Sequence, residues 1–121
     1  MLRMRSSDSV RTISLNRDEV LSSICPVAAR IRHEHPEVVS IRLFGSIARG
    51  DHVGTSDADI LVVLRSGTPG HPIDWIRAYY GYFRLPLPID LLVYAENQIT
   101  ARLDSGDLQF NRLCDESVLL A

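Results

Sequence analysis

The chain has 121 residues, 45% of them hydrophobic and 23% charged, which is the size and mix of one compact domain with its own core and room for one active centre. Thirteen basic residues stand against 15 acidic ones, and the formal charge of -2 argues against strong nucleic-acid binding through a basic face. All 13 basic residues are Arg, so a lysine nucleophile, a Schiff base and the lysine of a P-loop are excluded.

The opening segment, residues 1–15, is rich in Arg and Ser, lacks the apolar stretch of a secretory signal, and reads as a flexible tail ahead of a single domain over residues 16–121. Asn16 and Glu19 form a capping pair, and Val20, Ile24, Val27, Ala28 and Ile31 then recur at helical spacing up to about His35. Pro26 lies inside this helix and is expected to kink or split it. Residues 38–44 are rich in β-branched and apolar side chains and stop at Gly45, a first buried strand. A short helical turn, residues 47–49, follows it. The continuous apolar run 59–64 predicts a central second strand, and residues 73–83, with Trp75, Tyr79, Tyr82 and Phe83 on one stripe, a helix covering the sheet. That stripe reads as core aromatics rather than a base-stacking platform. Pro86 and Pro88 break the chain before a third strand, residues 89–94; short helices follow over 95–105 and 108–116, and residues 118–120 add an edge strand. The succession predicts a small single-domain α/β fold, a mixed β-sheet packed against helices.

Cys25 and Cys114 are too few and too distant for a disulfide framework or a zinc knuckle and read as reduced thiols in a cytoplasmic protein. No apolar run approaches the roughly 20 residues that span a bilayer, so no membrane attachment is expected. His33 and His35 read as surface residues, because two positions apart on a helix they face apart, and His52 as a solvated loop residue.

Three acids invite a chemical reading. Asp57 and Asp59 stand at the mouth of the second strand, where side chains two apart share a face, roughly 6–7 Å apart along the strand. Asp90 sits within the third strand between Ile89 and Leu91, where an ionised group is costly without a cation or donor. If the two strands are neighbours, a hard cation compensates all three; carboxylates without Cys or His favour magnesium, then manganese. Taken singly, Asp57 could cap a turn and Asp59 could merely begin a strand. Upstream, Gly45 allows close backbone approach, Ser46 adds a hydroxyl, and Arg49 adds a planar cation suited to phosphate oxygens. The combination describes a site for a magnesium-bound nucleotide triphosphate.

Gly45-Ser46, ten residues, then Asp57-Ala58-Asp59, with Asp90 on a later strand, resembles the signature of the DNA polymerase beta-like nucleotidyltransferases. Within that superfamily, Phe44-Gly45-Ser46 followed by Ala48-Arg49-Gly50, and the run from Ser56 to Val62, look most like the minimal nucleotidyltransferases. The resemblance implies that Asp57 and Asp59 bind two Mg2+ ions, that Asp90 completes the catalytic metal and helps deprotonate the acceptor, and that Gly45 and Ser46 grip the triphosphate. It further implies ATP as substrate and an antitoxin that transfers AMP to a tyrosine of a HEPN-type toxin; the sequence leaves a homo- or hetero-oligomer open. Family members often carry Arg where this chain has Ile47, which leaves Arg49 as the nearest phosphate contact. Two rival readings are an interaction module that neutralises its partner by contact through the aromatic helix, with Trp75, Tyr79, Tyr80 and Tyr82, or through the C-terminal helices, and a metal-dependent phosphohydrolase.

Overall fold

The computed structural model describes residues 3–5, 17–50, 57–85 and 87–121. In chain order the elements are β1 (Arg3–Arg5), α1 (Arg17–Glu34), β2 (Val38–Phe44), α2 (Gly45–Arg49), β3 (Ala58–Leu64), α3 (Pro72–Tyr80), β4 (Ile89–Ala95), α4 (Glu96–Asp104), α5 (Leu108–Glu116) and β5 (Val118–Leu119). The strands form a mixed sheet in the order β1-β4-β3-β2-β5. β3 runs parallel to β4, and the other pairings are antiparallel. The first, second and third strands expected from the sequence are β2, β3 and β4, and the expected adjacency of the last two holds.

A parallel pair covered on both faces needs an uninterrupted apolar sequence, and every residue of β4 is buried. Alternation then divides the sheet into two cores. Ala58, Ile60, Val62 and Leu64 of β3 face a core closed by Val20, Ile24, Ala28 and Ile31 of α1 and by Ile76 and Tyr79 of α3. Leu61 and Val63, with Leu92 and Tyr94, face a smaller core closed by Phe110 of α5, with Ile99 and Leu103 of α4 packed against it. Asp59 and Asp90 have the parity of this second face. The backbone N–H of Ala58 donates to Pro88 O at 2.8 Å, tying the entrance of β3 to the chain that leads into β4.

Several expectations need correction. The opening segment is not wholly a loose tail: Arg3–Arg5 pairs with β4, Arg5 opposite Asp90, because the outer edge of β4 otherwise exposes unpaired backbone groups. The rest of residues 1–15, with Asn16, His52, Ser56 and Pro86, lies outside the described residues. Pro26 does not split α1, which runs unbroken through it; Ile24 and Ala28 on either side are fully buried and hold both turns on the sheet. α3 begins at Pro72, with His71 Nδ1 accepting from the Ile73 N–H at 3.2 Å, and ends at Tyr80 rather than at residue 83. Its aromatic stripe does enter the core, with Tyr79 and Phe83 buried and Trp75 and Tyr82 packed at its margin.

His35 is not a plain surface residue. It is half-buried, with Nδ1 3.0 Å from Glu37 Oε2 and Nε2 3.1 Å from the Tyr82 hydroxyl, its ring edge-on to Tyr79 and Tyr82. The Tyr79 hydroxyl donates to the same Glu37 oxygen at 2.7 Å. Burial pushes the Glu37 carboxyl up, but the hydrogen bonds from Tyr79, the backbone and His35 outweigh it and hold the group below its ordinary value. Burial and the bond to Glu37 push the Tyr79 phenol far up. The cluster fastens the end of α1 to β2 and α3. Cys25 and Cys114 are free thiols, both half-buried. Among the described residues no helix is long and apolar enough to cross a membrane.

Candidate functional site

Three neighbouring strands bring the sequence-marked residues to one end of the sheet. Phe44, the last residue of β2, is the cross-strand partner of Asp59, and Asp59 is in turn the partner of Asp90. Adjacent strands lie about 5 Å apart, so the turn at Gly45, Asp59 and Asp90 form a row about 10 Å long on one face. Register alone achieves this.

Gly45 has φ +79°, in the left-handed region, as the chain leaves β2 and turns at once into α2. A Cβ at this position would overlap Asp59 Oδ2, so the absence of a side chain is what lets the turn and the carboxylate share the space. At the other end of α2, Gly50 closes the helix in the same conformation, with φ +80° and its N–H on Ile47 O at 3.1 Å. Arg17 Nε donates to Ala48 O at 3.0 Å and ties the turn to the start of α1.

Asp90 is 1% exposed and is the only buried polar or charged side chain among the described residues. Asp59 is half-buried. Asp57, also half-buried, lies one residue before β3, so the pleat does not fix its direction as it fixes that of Asp59. Ser46 is half-buried on α2 directly after Gly45. Asp59 and Asp90 stand in register on neighbouring strands, and among the described residues no group of three His, Cys, Asp or Glu side chains is assembled as a metal-ligand set.

Arg49 faces a cavity of about 490 Å3 that it lines together with Gly45, Arg112 and Glu116. Its Nη1 lies 3.2 Å from Glu116 Oε2, while Arg112 Nε lies 3.0 Å from the other oxygen of that carboxylate. Hydrogen bonds from Arg112 and Arg49 hold the Glu116 carboxyl below its ordinary value. Arg112 and Glu116 carry only a weak sequence signal, an i, i+4 spacing on a predicted helix that describes any solvated ion pair equally well. Phe44 and Leu113 also wall a second, more apolar cavity of about 380 Å3, with Leu92, Tyr94, Phe110 and Arg102. There the Tyr94 and Phe110 rings meet edge-on at 5.5 Å, and the Arg102 guanidinium lies 5.2 Å from the Phe110 centroid.

Comparison with protein families decides the lineage. Residues 24–111 match the model of the nucleotidyltransferase domain, a span that contains Gly45, Ser46, Arg49 and all three acids. The chain belongs to this family. This nucleotidyltransferase domain also shares its fold with the crystal structure of a candidate nucleotidyltransferase from Sulfolobus solfataricus. The TM-score is 0.62 at 24% identity, over 85% of this chain and 80% of that one. No curated protein matches the sequence significantly.

The donor chemistry of the nucleotidyltransferase domain suits magnesium. That ion demands hard oxygen ligands and is commonly held by one or two carboxylates, with substrate phosphates and water completing the shell. Asp59 and Asp90, in register beside the Gly45 turn, offer carboxylate oxygens of the hard kind such an ion takes.

Proposed function

We propose that this domain catalyses Mg2+-dependent transfer of a nucleoside monophosphate, AMP from ATP, to a hydroxyl group of a protein partner. The observation that carries the reading is the row formed by the Gly45 turn, Asp59 and Asp90 across three adjacent strands. It sets a turn without a side chain directly against two carboxylates on one face. Asp59 and Asp90, with Asp57 at the strand entrance, would hold the metal. Bound there, magnesium supplies charge neutralisation for the phosphates and acidifies the acceptor hydroxyl.

The residues of the chain have distinct tasks in this scheme. Gly45 and Ser46 would hold the triphosphate through backbone and hydroxyl donors, and Arg49 would reach its oxygens. The acceptor oxygen forms a bond to the α-phosphorus, the bond from that phosphorus to the bridging oxygen breaks, and pyrophosphate leaves with the electron pair. The acceptor proton passes to Asp90. The apolar cavity walled by Leu92, Tyr94 and Phe110 suits the nucleobase, whose flat face gains from aromatic contact.

The protein acceptor, and a HEPN-type toxin as that acceptor, rest on the resemblance of the spaced motif to minimal nucleotidyltransferases. Of the aromatic residues that would supply a surface for neutralisation by contact alone, Tyr79 is buried in the core, while Trp75, Tyr80 and Tyr82 are half-buried at its margin. Incubation of the purified protein and its co-expressed partner with ATP and Mg2+, followed by mass spectrometry, tests the assignment. The expected product is the partner with one added AMP, abolished by Asp59→Asn and Asp57→Asn in folded protein. Unchanged labelling in both variants sinks the assignment. Released inorganic phosphate in place of pyrophosphate would make the protein a phosphohydrolase. Neutralisation that survives loss of all three acids would make it an interaction module.

A further inference from the structure

The family match ends at residue 111, and two charged residues just beyond it on α5 stand against the Gly45 turn. Arg49 and Arg112 approach the two different oxygens of one carboxylate, that of Glu116, at 3.2 and 3.0 Å. The Arg112–Glu116 pair alone would be an ordinary i, i+4 contact on a helix surface. The Arg49–Glu116 contact spans 67 residues and brings a second guanidinium from a separate element onto the same anion. Two planar cations converging on the paired oxygens of one anion are the arrangement by which proteins hold a phosphate group. Gly45 shares their cavity, which places the pair beside the turn assigned to the triphosphate.

The exposure of the three side chains matters next. Arg49 retains 41% of its accessible surface, Arg112 80% and Glu116 27%. Water and salt compete with ion pairs this open, so they are readily exchanged for a more highly charged ligand. A triphosphate brings more negative charge than a carboxylate and offers more acceptor oxygens at the same spacing.

Resting on the reading of this site as a nucleotide triphosphate site, we propose that Arg112 is a second phosphate-positioning cation beside Arg49. In the same proposal Glu116 is an internal placeholder that keeps the two guanidinium groups aligned and yields to the terminal phosphates of the incoming nucleotide. Arg112 contributes affinity for the β- and γ-phosphates; Glu116 competes with them. The two residues therefore act in opposite directions on the same equilibrium, which a purely structural role for the ion pairs does not produce.

The test is calorimetric titration of the full chain and of its Arg112→Gln and Glu116→Gln variants with ATP and, separately, with AMP, each in the presence of Mg2+. Arg112→Gln is expected to weaken ATP binding by roughly fivefold to tenfold and to leave AMP binding unchanged. Glu116→Gln is expected to tighten ATP binding by about threefold to fivefold, the effect of removing one exposed ionic competitor, again without changing AMP. A wild-type protein that binds ATP while Arg112→Gln binds it equally well overturns the inference and leaves the nucleotidyltransferase reading standing. So does a Glu116→Gln variant with weaker ATP binding, which would make the carboxylate a support for the arginines. Equal losses toward ATP and AMP would mark a disturbed fold and also overturn it. A wild-type protein that binds neither nucleotide overturns both the inference and the function on which it rests.

Discussion

Replacing Gly45 by Ala isolates the contact on which the site is built. The variant adds one methyl group, and two separable costs follow. The backbone holds φ +79°, a conformation that costs an L-residue about 1–2 kcal/mol relative to glycine. The new Cβ overlaps Asp59 Oδ2 and would stand 3.3 Å from Asp59 Cγ, so the carboxylate must swing out of its row with Asp90. Gly50 supplies the control. Its φ is +80°, but a Cβ there would meet nothing nearer than Arg17 Cδ at 3.7 Å, an ordinary contact. Gly50→Ala should therefore lose about 1–2 kcal/mol, a fall of roughly 3–10 °C in Tm, and keep its activity. Gly45→Ala should lose at least as much stability and, in addition, about 100-fold in pyrophosphate release from ATP with the partner present, the usual scale for a reacting group displaced by about 1 Å. Thermal melts and a pyrophosphate assay on both variants decide the matter. Equal activities in the two would refute the reasoning, because the strain would then be the whole effect and the contact with Asp59 none of it.

Three further outcomes follow from residues already described. Asp90→Asn keeps the shape of the buried side chain but removes its charge, so Mg2+ and ATP together should raise the Tm of the wild type and not of the variant. At 100 times Kd the wild-type gain is about 2.7 kcal/mol, and equal shifts in both proteins would contradict the role given to Asp90. Tyr79→Phe removes a 2.7 Å hydrogen bond to the Glu37 carboxylate and should cost about 1.5–3 kcal/mol at pH 7 in urea unfolding. Because the Glu37 carboxyl is held below its ordinary value, the stability it contributes is present above the unfolded carboxylate range and is lost as pH falls through the lower folded value. The cost of Tyr79→Phe should thus shrink below about pH 4, and a pH-independent cost would be inconsistent with the charged bond. Phe110→Ala empties the centre of the smaller core and should destabilise the fold by about 3–5 kcal/mol, measured in the same way.

The strands and the acids were legible because their signals are local. Residues 38–44, 59–64 and 89–94 are apolar runs with sharp ends, and Asp90 within the last of them is conspicuous at the level of sequence alone. Even the parallel pairing of β3 and β4 follows once a helix is seen between them. What escaped the sequence depends on partners far along the chain. Arg3–Arg5 has no apolar pattern, and only the open edge of β4 makes it a strand. His35 gains its setting from Tyr82, 47 residues away, and its neighbour Glu37 from Tyr79, 42 away. Arg112 and Glu116 look like a solvated helix face until α2 is folded against them. Pro26 misled for the same reason, since a proline rule for isolated helices does not weigh the sheet that clamps both sides of it.

The two faces of the sheet differ in how firmly they are fastened. α1 sinks four residues completely and α3 two, whereas α4 buries none fully and α5 only Phe110. The last two helices therefore form the layer with least to lose on lifting; α5 lines both cavities, and α4 reaches the more apolar one through Arg102. Amide protons of α4 and α5 should exchange with solvent well before those of β3 and β4. The strands that carry Asp59 and Asp90 should keep their alignment while this outer layer loosens.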